Sequence, residues 1–192
     1  GGGSAALNPG AWLRVGLGLV LSLLAGALAG RMARCFLSRH ICNCIAWQRI
    51  AAGLMAALHG VQDGQKFLAL LLLADGLGEA EPSLPLSLLM LTAGVMALGT
   101  ALGGRPIVEK VGNGLTALSP ADGLAADLGA GVVLLACSLL GLPVSTTHAK
   151  VAAILGAGRR PDRRIAGEIG GAWLLTFPAC GLLAFLLARM MT

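Results

Sequence analysis

The chain has 192 residues, 56% hydrophobic and only 12% charged, with a mean hydropathy of +0.82. A soluble domain carries about 25% charged residues, so the composition excludes an ordinary soluble fold and points to an all-α polytopic membrane protein. The net charge of +5 comes largely from arginines grouped in short segments, as expected where loops face the cytoplasm. No basic patch has interleaved aromatic residues, which excludes nucleic acid as a partner.

Residues 1–10, GGGSAALNPG, read as a linker or the edge of a fragment, and no positively charged region precedes an A-x-A site, as a cleavable signal would require. The first span is expected over Ala11–Gly30, with Arg14 snorkelling near its start. The following RMARCFLSRHICNCIAWQR holds Arg31, Arg34, Arg39 and Arg49 without an acid and is too polar to span. Five cysteines, Cys35, Cys42, Cys44, Cys137 and Cys180, are odd in number and lack zinc-site spacing. Free thiols are expected.

A second span runs from about Ile45 to Leu77, longer than one straight crossing needs, and HGVQDG interrupts it. Two half-helices, Ile45–Leu58 and Gln65–Leu73, are expected around an unwound centre. ADGLGEAEPSLP then carries Asp75, Glu79 and Glu81. A third span is expected over Leu84–Leu102, followed by a mixed connector, GGRPIVEKVGNGLTALSP, containing a short helix. An apolar helix from Asp122 to Leu140 is broken by GLPVSTTH, and AKVAAILGAG is too short to span alone. These two pieces read as a re-entrant hairpin with its tip at Pro143–His148. RRPDRR precedes a last span over Ile165–Ala188, in which Pro178 is a potential kink. With the hairpin entering and leaving on one side, both arginine-rich segments fall inside and the acidic loop and both termini outside.

In hydrocarbon, unwound backbone is tolerated only where protein or a wet cavity surrounds it. A centred Asp or Lys costs roughly 2.5–3.5 kcal/mol on insertion scales. The run HGVQDGQK therefore demands partners or a ligand. Gly60 and Gly64 supply backbone freedom. Asp63 offers a hard oxygen for Na⁺ or a proton-accepting carboxylate, Gln62 and Gln65 add neutral oxygens and N–H donors, and Lys66 suits either Asp63 or an anion. PVSTTH has anion chemistry instead. Ser145 is a natural N-cap, and Thr146 and Thr147 fall in the first turn. A helix N-terminus presents free N–H groups and a positive dipole end, apt for a phosphate-like anion. Taken singly, each stretch reads more readily as a structural kink or a plain cap; taken together, they fit the discontinuous helices of secondary transporters. His148 reads equally as a packed core histidine or a ligand contact. Asp122 and Asp127 either line the hairpin or, for Asp122, cap its first helix. Glu168 is expected to pair with Arg163 or Arg164. His40 and His59 carry no specific signal.

The stretches HGVQDGQKF and LPVSTTHAKVAAILGAG resemble the two signature segments in the second repeat of the inorganic phosphate transporter (PiT) family. ALGGRPIVEKVG and LSPADGLAADLGAG resemble the same family, in the same order, and the likeness covers roughly Ala46–Leu187. The resemblance implies a fold of two inverted repeats, each with a broken helix and a re-entrant hairpin, and cation-coupled phosphate symport without covalent chemistry. It implies phosphate binding by Ser145, Thr146, Thr147 and Gln65. It implies that Asp63 with Gln62 and Gln65 helps build the cation and phosphate sites; from the residues themselves, Asp127 is a further expected cation ligand, with support from Lys66, His148, Gly60 and Gly64. No cofactor or metal centre is implied beyond the co-transported Na⁺ or H⁺. No first-repeat motif accompanies these segments, so residues 11–192 read as one half-unit. Its expected partners are phosphate, the bilayer, and a missing first-repeat half or a second inverted copy, with a homo-oligomer as the assembly and a bacterial inner (plasma) membrane as the location. A sulfate permease of the same architecture and a non-transporting anion-binding or regulatory subunit are the rival readings.

Overall fold

The computed structural model describes residues 9–40, 44–74, 85–140, 142 and 144–191. Asp75, Glu79, Glu81 and Pro143, which figure in the layout above, lie outside them. The described residues form helices α1 (Pro9–His40), α2 (Cys44–Ala74), α3 (Leu86–Glu109), α4 (Pro120–Leu139), α5 (Thr146–Ala157) and α6 (Arg163–Met191). Among the described residues, four segments are long and apolar enough to cross a membrane: Leu13–Leu37, Leu86–Gly112, Pro120–Leu139 and Arg163–Met190. Helix α2 has the length, at 31 residues, but its polar centre takes it out of that class.

The largest departure from expectation is in α2. It runs unbroken through Leu58–Phe67, with no unwound centre and no free carbonyls there. The polar residues explain why. His59, Asp63 and Lys66 stand at i, i+4 and i+3 spacing, so they pair along one helix face while the backbone keeps its own hydrogen bonds. Gly60 and Gly64 are ordinary helical residues without a left-handed φ, and neither is crowded: a Cβ on Gly60 would meet nothing within 4 Å, and one on Gly64 would only touch Met96 Sδ at 4.0 Å. The backbone freedom expected of them is not used.

Two smaller departures follow from proline and arginine positions. Helix α3 continues past Leu102 and through Pro106, then closes with a π-helical turn over Lys110–Gly114, so most of the expected connector is helical. A proline inside a helix removes one backbone bond and crowds the carbonyl four residues earlier; a widened turn is a common local adjustment. Helix α1 runs on to His40, because Arg34 finds partners in the bundle and need not be left in a loop.

Helices α4 and α5 follow one another and pack together as a helical hairpin. At 12 residues, α5 is about 18 Å long, short of a ~30 Å hydrocarbon core. Thr116, before α4, bridges Pro161, after α5, and Asp162 N–H donates to Leu115 C=O at 2.8 Å. Both legs therefore open at one end of the bundle. Arg34, near the end of α1, reaches the same place, with Nε 3.0 Å from Asp122 Oδ1 and Nη1 3.5 Å from Gly158 C=O. Asp122 also completes a capping box with Ser119 at the start of α4. Lys110 pairs with Glu168 at 2.7 Å, joining the end of α3 to the start of α6, and Arg164 holds Glu168 from within α6. The two arginine-bearing segments thus share one end.

The core lies where α1, α2, α4 and α5 meet. In α4, residues 122–127 are all buried, followed by Gly129, Ala130, Val133 and Leu134. Small residues let the backbones close on one another, as in many membrane interfaces where lipid removes the usual hydrophobic drive. Gly26 and Gly30 of α1 sit on Ala149 and Ala153 of α5, Gly156 sits on Ala27, and Gly129 of α4 sits on Gly30. Helices α3 and α6 instead present long apolar faces outward, including Leu98, Leu102, Leu174 and Phe177.

Glycine variants separate an unbroken α2 from an unwound one. Gly60→Ala and Gly64→Ala should each raise thermal stability in detergent, by about 0.5–1 kcal/mol, because they relieve the entropy of a helical glycine. Gly156→Ala, whose Cβ has no room against Ala27, should lower it by about 1–3 kcal/mol. Loss of stability in Gly60→Ala and Gly64→Ala would instead indicate a strained or unwound centre.

Candidate functional site

The polar centre of α2 and the tip of the hairpin come together although they are about 80 residues apart in sequence. Thr146, at the first position of α5, is buried and donates its Oγ1–H to Asp63, 3.2 Å from Oδ2 and 3.5 Å from Oδ1. Lys66 Nζ donates to Asp63 Oδ1 at 2.9 Å and to Val144 C=O at 3.2 Å, so it bridges α2 to the residues entering α5. His59 Nε2 lies 3.0 Å from Asp63 Oδ2. His59 and Lys66 of α2 and Thr146 of α5 thereby gather around one carboxylate.

Gln62 faces the other leg. It is buried, and its Nε2 donates to Leu134 C=O at 3.0 Å and also to Ser138 Oγ. Ser145 is the N-cap of α5, as its position before the two threonines suggested, and its Oγ accepts from His148 N–H at 3.3 Å. Its own hydroxyl proton stays available as a donor. The N–H groups of Thr146 and Thr147 precede the first intrahelical acceptor of α5. Thr147 is exposed. Thr146 differs from the expectation of a free anion donor, since its single hydroxyl proton is committed to Asp63.

Two cavities border this arrangement. The larger, about 1180 Å³, runs between α2 and α3 and is mostly apolar, with His59, Gln65, Asp127 and Lys150 among its polar walls. The smaller, about 320 Å³, is lined by Gln62, Gln65, Lys66, Ser138 and Val144. Gln65 borders both. Asp127 does not join the Asp63 cluster; it is buried on α4 and paired with Lys150 of α5. His148 is half-buried, with its ring edge against Trp173 at 3.9 Å between centroids, and its Nδ1 has no hydrogen-bond partner among the described residues.

Three participants were missed in the sequence. His59 was legible as the residue four positions before Asp63 on a helix face, but only if α2 is continuous. Lys150 was legible as an ammonium in an apolar 12-residue helix, which must find a buried acid. Ser138 gave no signal.

The Thr146–Asp63 bond is measurable in a double-mutant cycle. Thr146→Val and Asp63→Ala should show a coupling of about 1–2 kcal/mol in thermal or denaturant unfolding, toward the low end of bonds to charged groups because Asp63 is partly exposed. Additive effects would mean that the hydroxyl and the carboxylate do not interact.

Residues 39–184 match the model of the phosphate transporter family. A protein of Rhizobium meliloti (strain 1021), named "Probable low-affinity inorganic phosphate transporter", is 37% identical over 147 residues, which is 72% of this chain and 44% of that protein. Proteins with the same name from Mycobacterium bovis (strain ATCC BAA-935 / AF2122/97) and Bacillus subtilis (strain 168) are 33% and 30% identical, over 69% and 74% of this chain and 34% and 46% of their own lengths. The chain spans less than half the length of these relatives. No solved structure matches it. Bacterial relatives and four apolar helices agree with a multi-pass protein of a bacterial inner membrane. With more than half of its length matched to that model, the chain belongs to the phosphate transporter family, a family of transporters and not of enzymes.

Proposed function

We propose that the chain is the second, C-terminal repeat of an inorganic phosphate permease. In this reading it is a half-unit that moves phosphate together with Na⁺ or H⁺ by alternating access around a re-entrant hairpin. The observation that carries the reading is the Thr146–Asp63 hydrogen bond, because it joins an anion-suited helix end to a cation-suited carboxylate in one site. The names of the relatives favour phosphate over sulfate. So does chemistry: HPO₄²⁻ carries a proton that it can donate to a carboxylate, and sulfate carries none.

Coupling follows from the competition for Asp63. Lys66 is about half exposed and pairs with Asp63 across only three residues of one helix. A cation or proton arriving at Asp63 competes with that ammonium and frees it for an anion. Phosphate then meets Lys66, the hydroxyls of Ser145 and Thr147, and the first N–H groups of α5, a helix end whose dipole favours negative charge. When both ligands leave, Lys66 returns to Asp63. The Gln62 amide nitrogen is committed to α4, so its Oε1 is the atom left for a cation. Gln65, bordering both cavities, supplies a neutral polar group on the ligand path. A first-repeat half or an inverted second copy completes the transporter, and the outward apolar faces of α3 and α6 suit such a partner or lipid. The arginine-rich end faces the cytoplasm.

Uptake of labelled phosphate into proteoliposomes by the complete transporter tests this reading. Uptake should follow an inward Na⁺ or H⁺ gradient and resist competition by sulfate. Asp63→Asn, which keeps the shape but loses the charge, should lower gradient-driven uptake by about tenfold or more, the scale of one lost charge-assisted bond. Normal coupled uptake by Asp63→Asn would reduce Asp63 to a structural carboxylate, and equal competition by sulfate would overturn the choice of substrate.

A further inference from the structure

Asp127 and Lys150 sit on the two legs of the hairpin, one on α4 and one on α5, and pair with each other. The Asp127 side chain is only 9% exposed and that of Lys150 29%. Both border the large cavity between α2 and α3. We infer that Lys150 is a tethered counter-cation that fills the place at Asp127 which a mobile cation would have to take. Asp127 is then not an ion site while Lys150 is present.

The argument is one of competition. A buried carboxylate must either hold a proton or have a cation beside it, and at Asp127 the cation is Lys150. A mobile Na⁺ has to come from dilute solution and shed its water. Lys150 is held in place by the fold: Ala149 and Ala153 on either side of it pack on Gly26 and Gly30 of α1. A tethered group competes at an effective concentration set by that geometry, not by the solution. Asp63 and Lys66 differ in kind. Lys66 is 49% exposed and lies on the same helix as its partner, so water and ions can replace it. The Asp127–Lys150 pair links two packed helices and is more enclosed. With Lys150 neutralised, Asp127 would still face the cavity, open to a small cation. The inference stands whether or not the chain carries phosphate.

The test reads ion binding and not uptake. Melting temperatures of the purified full chain in lipid nanodiscs are compared in NaCl and in choline chloride, without phosphate, for wild type, Asp127→Asn, Lys150→Met and the double variant. Any Na⁺-dependent shift in wild type should persist in Asp127→Asn. Lys150→Met should acquire an additional Na⁺-dependent rise, about 3–5 °C at ten times its Kd, and the double variant should lack it. If Lys150→Met is not recovered folded, Lys150→Gln takes its place. The proposal is overturned if Asp127→Asn abolishes a Na⁺ shift that wild type shows, because Asp127 would then bind the ion with Lys150 in place. It is overturned equally if neutralising Lys150 adds no Asp127-dependent Na⁺ response.

Discussion

The start of α5 leaves backbone groups that apolar surroundings cannot satisfy, and the polar face of α2 is arranged around that constraint. Val144 C=O receives Lys66, and Ser145 caps the start of α5. Thr146 gives its proton to Asp63, and Gln62 reaches across to Leu134 C=O on the opposite leg. About two turns of polar chemistry in α2, residues 59–66, are thus explained by what they hold. The same groups that satisfy the tip are those suited to a cation and an oxyanion, so the structural requirement and the candidate site are one set of residues.

The hairpin is held at its other end by different means. Arg34 joins α1 to Asp122 and Gly158, and the Thr116–Pro161 bridge closes the two legs. Along its length, glycines and alanines bring α1, α4 and α5 close enough for backbone contact. Apolar contact with a neighbour is little better than apolar contact with lipid, so close packing and polar ties carry the specificity. Helices α3 and α6 lack such ties along most of their length and present bulky apolar residues outward. Close backbone packing of the hairpin thus stands beside flanking helices that turn their apolar side chains outward.

Much of this was legible in the sequence. Hydropathy located the long apolar helices other than α2, the shortness of AKVAAILGAG set α5 apart from α4, and the Ser-Thr-Thr run before it marked the start of α5. The grouping of arginines placed two segments at one end, which the contacts of Arg34 and Arg159 with Asp122 support. The centre of α2 was misread because two glycines and five polar residues in ten positions weigh toward a break when counted by composition. Counted by helical phase, His59, Asp63 and Lys66 fall on one face, and a continuous helix satisfies them at lower cost. Lys150 was passed over for the opposite reason: a lone charge in an apolar run attracts no motif, although its partner Asp127 had already been singled out. The commitment of the Thr146 hydroxyl to Asp63 depends on how the hairpin docks on α2, which no local pattern encodes.

The central claim is that the hairpin tip docks on an unbroken α2, carboxylate against hydroxyl. Paired cysteines at positions 63 and 146, in an otherwise cysteine-free chain in native membranes, test it most directly. A short bifunctional thiol reagent should crosslink this pair readily, and should fail with the pair 63 and 153, two turns further along α5 and about 10 Å away along its axis. Failure at 146, or equal crosslinking at 153, would contradict the account.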